Sequence, residues 1–251
     1  MNSLGASLFI SISRVNNKME QRLDLLIFGA HPDDAEIGMA GTIKKHTSAG
    51  LRVGVCDLTR AEMSSNGTVE IRQSEADRAS EILGLAMRSN LGLPDRGLFL
   101  QSDYIMKITA EIRKWKPRIV CAPYWQDRHP DHVSCSMLVQ EAVFNAKLRQ
   151  YMPESSAHTV ENTWFYFIND VADVDVMVDV SSYYDAKRDA LYAYASQFNF
   201  SQASSEQVLT PLNQGYVERV EARDLLLGQK RNVQYAEGFV SKLPILMDRI
   251  V

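Results

Sequence analysis

Leu25-Leu26-Ile27-Phe28-Gly29-Ala30-His31-Pro32-Asp33-Asp34-Ala35-Glu36-Ile37-Gly38 is the stretch whose reading decides the fold. An apolar run stops at two small residues, and a histidine, a proline and two adjacent carboxylates follow. A run apolar on both faces of the pleat suits a strand buried on both sides, as in a parallel sheet covered by helices. Such a strand delivers polar groups at its C-terminal end, where open α/β sheets place their sites. Pro32 fixes its own φ and biases His31 towards extended backbone. His31 and Asp34 stand three residues apart, so a tight turn can point both at one ion. Asp33 then projects beside that ion without having to ligate it. A second polar group, Arg128-His129-Pro130-Asp131-His132, lies far downstream.

Outward from that stretch, strand and helix signals alternate. The first strand is predicted over 23–30. A helix over 36–48 follows, with Ile37, Ala40 and Ile43 at helical spacing and Gly50 at its end. A second strand over 52–58 leads into a polar, turn-rich loop over 59–68. Thr68 caps the next helix and Gly84 closes it, with Ile71, Glu75, Ala79, Ile82 and Leu83 predicted inward. Arg72 stands in its first turn, where the helix dipole disfavours a cation. That position hints at a task other than helix stability.

A third strand over 87–91 precedes the turn cluster Gly92-Leu93-Pro94-Asp95-Arg96-Gly97. A helix over 102–115 carries Ile105, Ile108, Ile112 and Trp115 on one face. A fourth strand over 118–122 leads to the second histidine loop. The helix after it, over 131–147, offers Val133, Met137, Val139, Ala142, Val143 and Ala146 for burial. Four β-α units in succession predict an α/β fold: a Rossmann-like, mostly parallel sheet with helices on both faces. Beyond residue 150 the pattern loosens into strands over 163–168 and 174–180, helices over 182–197 and 217–227, a loop over 209–216 between them, and a tail ending at Val251. No repeat or linker interrupts it, so residues 21–251 are predicted to form a single domain.

Composition narrows the function classes. The 251 residues are 45% apolar and 23% charged, which is ordinary for a globular chain. The net charge is -4 without a basic block, which argues against nucleic acid as a partner. No apolar run reaches membrane-spanning length. Cys56, Cys121 and Cys135 are odd in number and form no CxxC, which suggests reduced thiols and a cytoplasmic setting; Cys56 and Cys121, inside or just after apolar runs, read as buried spectators. Residues 1–20 read unlike the rest: Leu8-Phe9-Ile10 is too short for a signal core and no basic residue precedes it. They are expected to be a loosely ordered extension, or to lie upstream of a start at Met19.

The two motifs, H-P-D-D and H-P-D-H, follow two different strands. Together they offer three imidazoles and three carboxylates. A catalytic zinc takes three protein ligands and keeps one position open. His31, Asp34 and His132 supply two nitrogens and one oxygen, a set that suits zinc and also ferrous iron. A bound ion lowers the pKa of water and polarises a carbonyl. Asp33 is left over as a general base. His129 is left to protonate a leaving nitrogen or to stabilise an oxyanion, and Asp131 to orient a histidine. Bland readings compete: a strand-end histidine is often a hydrogen-bonded structural residue, the reading given to His46 and His158, and an Asp-Asp pair is often a helix cap.

The paired motifs Ala30 to Gly38 and His129 to His132 resemble the zinc-dependent N-acetylglucosaminyl deacetylases of the PIG-L/LmbE type. Asp57 to Thr68, the arginine-bearing helix with E-A-D-R-A-S-E-I-L-G-L, N-L-G-L-P-D-R and Y-A-E-G-F (Tyr235 to Phe239) are similar to the bacillithiol-biosynthesis branch. That branch removes acetate from N-acetylglucosaminyl-malate. The resemblance implies an LmbE-like fold, zinc on His31, Asp34 and His132, and Asp33 as base. It also implies His129 with Asp131 at the oxyanion or leaving group, Arg72 on substrate, and a mobile C-terminal tyrosine matched here by Tyr216. Arg128 is a further candidate for facing substrate. A trimer or hexamer is expected by the same resemblance. Two alternatives stay open: a related N-acetyl glycoside deacetylase or thiol-conjugate amidase, and a non-enzymatic metal- or sugar-binding module. A purely structural zinc site would be closed by a fourth protein ligand.

Overall fold

The computed structural model describes residues 22–199 and 207–246. The expectation for residues 1–20 lies outside the described residues. Among the described residues, seven strands form one sheet in the order β3-β2-β1-β4-β5-β7-β6. They are β1 (Leu25–Gly29), β2 (Val53–Thr59), β3 (Met87–Leu93), β4 (Ile119–Pro123), β5 (Asn162–Tyr166), β6 (Val176–Asp179) and β7 (Ala236–Val240). The pairings from β3 through β5 are all parallel, and β7 runs antiparallel to both of its neighbours. The helices are α1 (Asp34–Ser48), α2 (Val69–Leu83), α3 (Ser102–Trp115), α4 (Pro130–Ala146), α5 (Tyr184–Ala193), α6 (Ala195–Phe198) and α7 (Tyr216–Gln229).

Strand alternation divides the core in two. Leu25 and Ile27 of β1 face a layer built with α1, α2, α5 and α7, and Leu26 and Phe28 face one built with α3 and α4. Both faces of β1 are therefore dry, as the unbroken apolar run requires. Each fully buried aliphatic or aromatic side chain contributes about 1.5–3 kcal/mol by leaving water. Strand order reverses between β1 and β4, so their crossovers diverge and leave a crevice at their C-terminal ends. The two histidine motifs follow those two strands.

The local signals work as their chemistry dictates. Thr68 accepts the Ile71 amide as N-cap of α2, and Gly84 ends that helix at φ 72°. His46 and His158 bond to the carbonyls of Thr42 and Pro117, each at 2.7 Å. The three cysteines are buried and unpaired.

Several expectations are corrected. The buried face of α2 is Arg72, Ala76, Ala79 and Leu83, whereas Ile71 is 46% exposed. An arginine inside displaced the phase that apolarity alone suggests. In α4, Met137 is exposed, and Cys135 and Leu138 join the predicted Val139, Ala142 and Ala146 in the core. The helix predicted over 182–197 breaks into a 3-10 turn, α5 and α6. The predicted tail contains β7, a strand with neighbours on both sides.

Helix α1 is itself broken: Met39 is non-helical at φ -153°, ψ 24°. The break is satisfied from the C-terminal part of the chain. Glu237 on β7 accepts from the amides of Gly41 (3.0 Å) and Thr42 (2.6 Å), acting as a carboxylate cap for the second half of the helix. Arg223 donates to the Ile37 carbonyl at 2.8 Å.

Candidate active site

His31 follows β1 directly, and a tight turn closes behind it. The His31 amide donates to Asp34 Oδ2 at 2.9 Å, and the Asp34 amide to the His31 carbonyl at 3.3 Å. From β4, His129 is the N-cap of α4 and His132 lies in its first turn, with Pro130 at the position where a missing N–H costs nothing.

The two motifs converge. His132 Nε2 is 3.2 Å from Asp34 Oδ1, and His31 Nδ1 is 3.6 Å from Asp34 Oδ2. Asp34 thus stands between the two imidazoles. Ring nitrogens of His31, His129 and His132 lie within 4.8 Å of one another. The His129 and His132 rings stack at 4.7 Å. Two imidazoles and a carboxylate around one point make a donor set that fits zinc.

Carboxylates crowd these rings. Burial disfavours a charged His132, but Asp34 and Asp127 outweigh it and hold the ring up at about 9. His31 is likewise held well above its ordinary range by Asp131, Asp34 and Asp95 against the cost of burial. A cation on the rings could replace those protons in balancing the acids. Burial pushes Asp33 up to about 6, with the Arg72 guanidinium opposing. His129 is drawn below its ordinary value by burial and by the neighbouring His132 and His31.

The remaining candidates are distributed as follows. Asp33 is 5% exposed, has φ 117°, and receives Arg72 at 3.0 Å. Asp131 donates its backbone N–H to His129 Nδ1 at 3.2 Å, while its carboxylate accepts from Arg96 and lies 3.5 Å from His31 Nε2. Its side chain therefore serves His31 and Arg96, where the resemblance pairs it with His129. Tyr216, expected at the end of a loop, is the first residue of α7 and is buried, donating to Asn169 Oδ1 at 3.0 Å. Arg128 is exposed and also donates to Asn169 Oδ1, at 3.0 Å.

Four polar residues that sequence reasoning passed over complete the site. Asp127 Oδ1 sits 3.1 Å from His132 Nδ1 and accepts the His129 amide at 2.7 Å. Asn169 donates to Asp127 at 2.9 Å. Asp95 Oδ1 is 3.1 Å from His31 Nε2, and Arg96 holds Asp131. Carboxylates on the outward nitrogen of an imidazole fix its tautomer and orientation. Asp127 was visible as the acid two residues before His129, whereas Asp95, inside the turn cluster after β3, is far from both motifs in sequence and only the fold brings it to His31. A cavity of about 470 Å³ opens over this cluster, walled by Met63, Leu212, Arg96, Arg128 and Tyr216 among others.

Several known proteins are similar to this chain. The PIG-L family model, described as GlcNAc-PI de-N-acetylase, matches residues 26–143, which include both motifs. The diacetylchitobiose deacetylase of Thermococcus kodakarensis is 30% identical over 200 residues, covering 74% of each chain. A Bacillus anthracis protein named "Probable N-acetyl-alpha-D-glucosaminyl L-malate deacetylase 2" is 28% identical over 200 residues, 72% of this chain and 84% of that one. The solved structure of the conserved protein TT1542 from Thermus thermophilus superposes with a TM-score of 0.83 at 40% identity, covering 91% of this chain and 99% of that one. With both histidine motifs inside the matched region and a deacetylase aligned over three quarters of its length, the chain belongs to the PIG-L family of deacetylases, hydrolases of N-acetyl amide bonds.

Proposed function

We propose that the chain is a zinc-dependent deacetylase of N-acetylglucosaminyl-malate, in the bacillithiol-biosynthesis branch. The observation that carries the deacetylase chemistry is the meeting of His31, Asp34 and His132 around one point, with Asp33 buried beside them under an open cavity. Zinc held by those three residues would polarise the acetamide carbonyl and make water more acidic. Asp33 takes the proton from the attacking water as general base. The Nδ1 of His129 is engaged by the Asp131 amide, so Nε2 is the atom left to face the developing oxyanion or the leaving nitrogen. Tyr216 is assigned to the same side of the cavity. Asp127 and Asp95 hold the two imidazoles in register.

The malate assignment draws on two supports. One is the likeness to the Bacillus anthracis protein. The other is the pair of exposed arginines, Arg96 and Arg128, on the cavity wall, since a guanidinium fork fits a carboxylate. A neutral disaccharide is the second reading, favoured by the identity to the diacetylchitobiose deacetylase. Acetate release from N-acetylglucosaminyl-malate and from diacetylchitobiose separates them. The malate conjugate should be the better substrate by kcat/KM, and chelation should abolish release until zinc is returned. Preference for the disaccharide refutes the malate assignment, and zinc-loaded protein that cleaves neither refutes the substrate class.

A further inference from the structure

Arg72 sits where two effects oppose it. It lies in the first turn of α2, at the positive end of the helix dipole, and it is only 2% exposed. Its contacts indicate what retains it there. One terminal nitrogen donates both to Asp33 Oδ2 at 3.0 Å and to the Pro32 carbonyl. The guanidinium carbon stands 5.2 Å from the Tyr194 ring centroid. That ring is fixed in turn by its hydroxyl, 3.1 Å from Glu36 Oε1.

Asp33 shows the complementary anomaly. As the N-cap of α1, its carboxylate would ordinarily accept an amide from the first turn, yet it makes no cap bond. Its backbone is at φ 117°, ψ -22°, a region that non-glycine residues enter only when their surroundings impose it. The bonded partner common to its side chain and to the peptide preceding it is Arg72.

We infer that Arg72 is a positioning residue, which clamps the Pro32 carbonyl and the Asp33 carboxylate so that Asp33 is held off its helix cap and turned to the reacting water. This inference rests on the reading of Asp33 as base. It gives Arg72 a different task from the substrate contact implied by family resemblance. Among the described residues the Nε and Nη1 atoms of Arg72 are buried without hydrogen-bond partners, and the residue lines the cavity, so a substrate contact has a distinct signature to be tested.

The experiment compares Arg72→Gln and Arg72→Lys with the unaltered protein, alone and on an Asp33→Asn background. A displaced base should cost R72Q about 100-fold in kcat, with KM held within about threefold. R72K, which keeps a cation against the carboxylate, should recover part of that loss. On the D33N background the R72Q loss should vanish, since the two residues act as one unit. Zinc affinity by chelator competition should be unchanged. Crystals of metal-free R72Q should show Asp33 leaving positive φ and swinging to cap α1. A tenfold or larger rise in KM with kcat kept, additive losses on the D33N background, a matching loss of zinc, or an unmoved Asp33 each overturn the inference. If the unaltered protein deacetylates no N-acetyl glycoside, the functional reading fails, while the crystal comparison still decides what Arg72 holds.

Discussion

Asp33 and Asp34 are neighbours of the same chemical type with divergent surroundings. Asp34 lies between two imidazoles, which drive it well below the usual carboxylate range against the cost of burial. Asp33 faces a single guanidinium, and burial raises it. Such a divergence is how adjacent acids come to hold different roles. Asp33→Asn should therefore fold, bind zinc as before, and lose about 10²- to 10⁴-fold in turnover. His132→Ala should instead lose the metal itself. Chelator competition and acetate release, measured on both variants, distinguish these outcomes; zinc loss in D33N would contradict the division of labour. Asp127 acts one step out, through His132 Nδ1 at 3.1 Å. Asp127→Ala should weaken zinc binding by about 10- to 100-fold, measured by the same competition. A variant that held zinc as tightly as the unaltered chain would mean that Asn169, whose side-chain nitrogen lies 3.5 Å from His132 Nδ1, suffices to orient the ring.

At the scale of elements, α1 is pressed against the sheet at its glycines. A Cβ on Gly38 would fall 2.1 Å from Tyr166 Cδ2 and 3.0 Å from the Phe167 carbonyl. Tyr166 cannot yield easily, since it is fully buried and its hydroxyl donates to the Phe28 carbonyl at 2.8 Å. Gly38→Ala should cost at least about 1–3 kcal/mol by urea denaturation, the range for overpacking a filled core. A variant as stable as the unaltered chain would show that α1 can slide. The same elements mark how far the sequence could be read. The β-α units through α4 were legible because both faces of β1, β2 and β4 are buried, and because α2 and α4 carry clear start signals, the Thr68 cap and Pro130 in the first turn. Strand β7 was not legible, because A-E-G-F-V puts a charge and a glycine where a strand signal expects β-branched residues. Both departures answer to distant contacts. Glu237 caps the second half of α1, and a Cβ on Gly238 would meet Val174 at 2.6 Å. In the site, the two motifs announced His31, Asp34 and His132, whereas Asn169 and Arg96 arrive from loops whose approach only the folded chain defines.

At the scale of the whole molecule, the C-terminal strand is tied to the first motif's helix through buried charge. Lys187 Nζ lies 2.7 Å from both Glu237 and Asp224, and all three groups are withdrawn from solvent. Glu237 joins that lysine to the Gly41 and Thr42 amides, nearly two hundred positions earlier in the chain. Arg223, beside Asp224, joins α7 to the Ile37 carbonyl and to the carbonyls of Phe167 and Ile168. Glu237→Ala would leave Lys187 with one carboxylate instead of two and two helix amides without an acceptor. The expected cost is about 3–5 kcal/mol, the range for stripping one partner from a buried ion pair. Glu237→Gln should lose less, because its amide oxygen can still accept from one side of the site, although the charge is removed and its NH2 meets a donor on the other. The helix whose first turn carries Asp34 is the one that loosens, so zinc affinity should fall along with stability in the alanine variant. Denaturant titration and chelator competition on the same two proteins test the coupling. An alanine variant that melts early yet binds zinc unchanged would mean that the break at Met39 insulates the first turn of α1 from the rest of the helix.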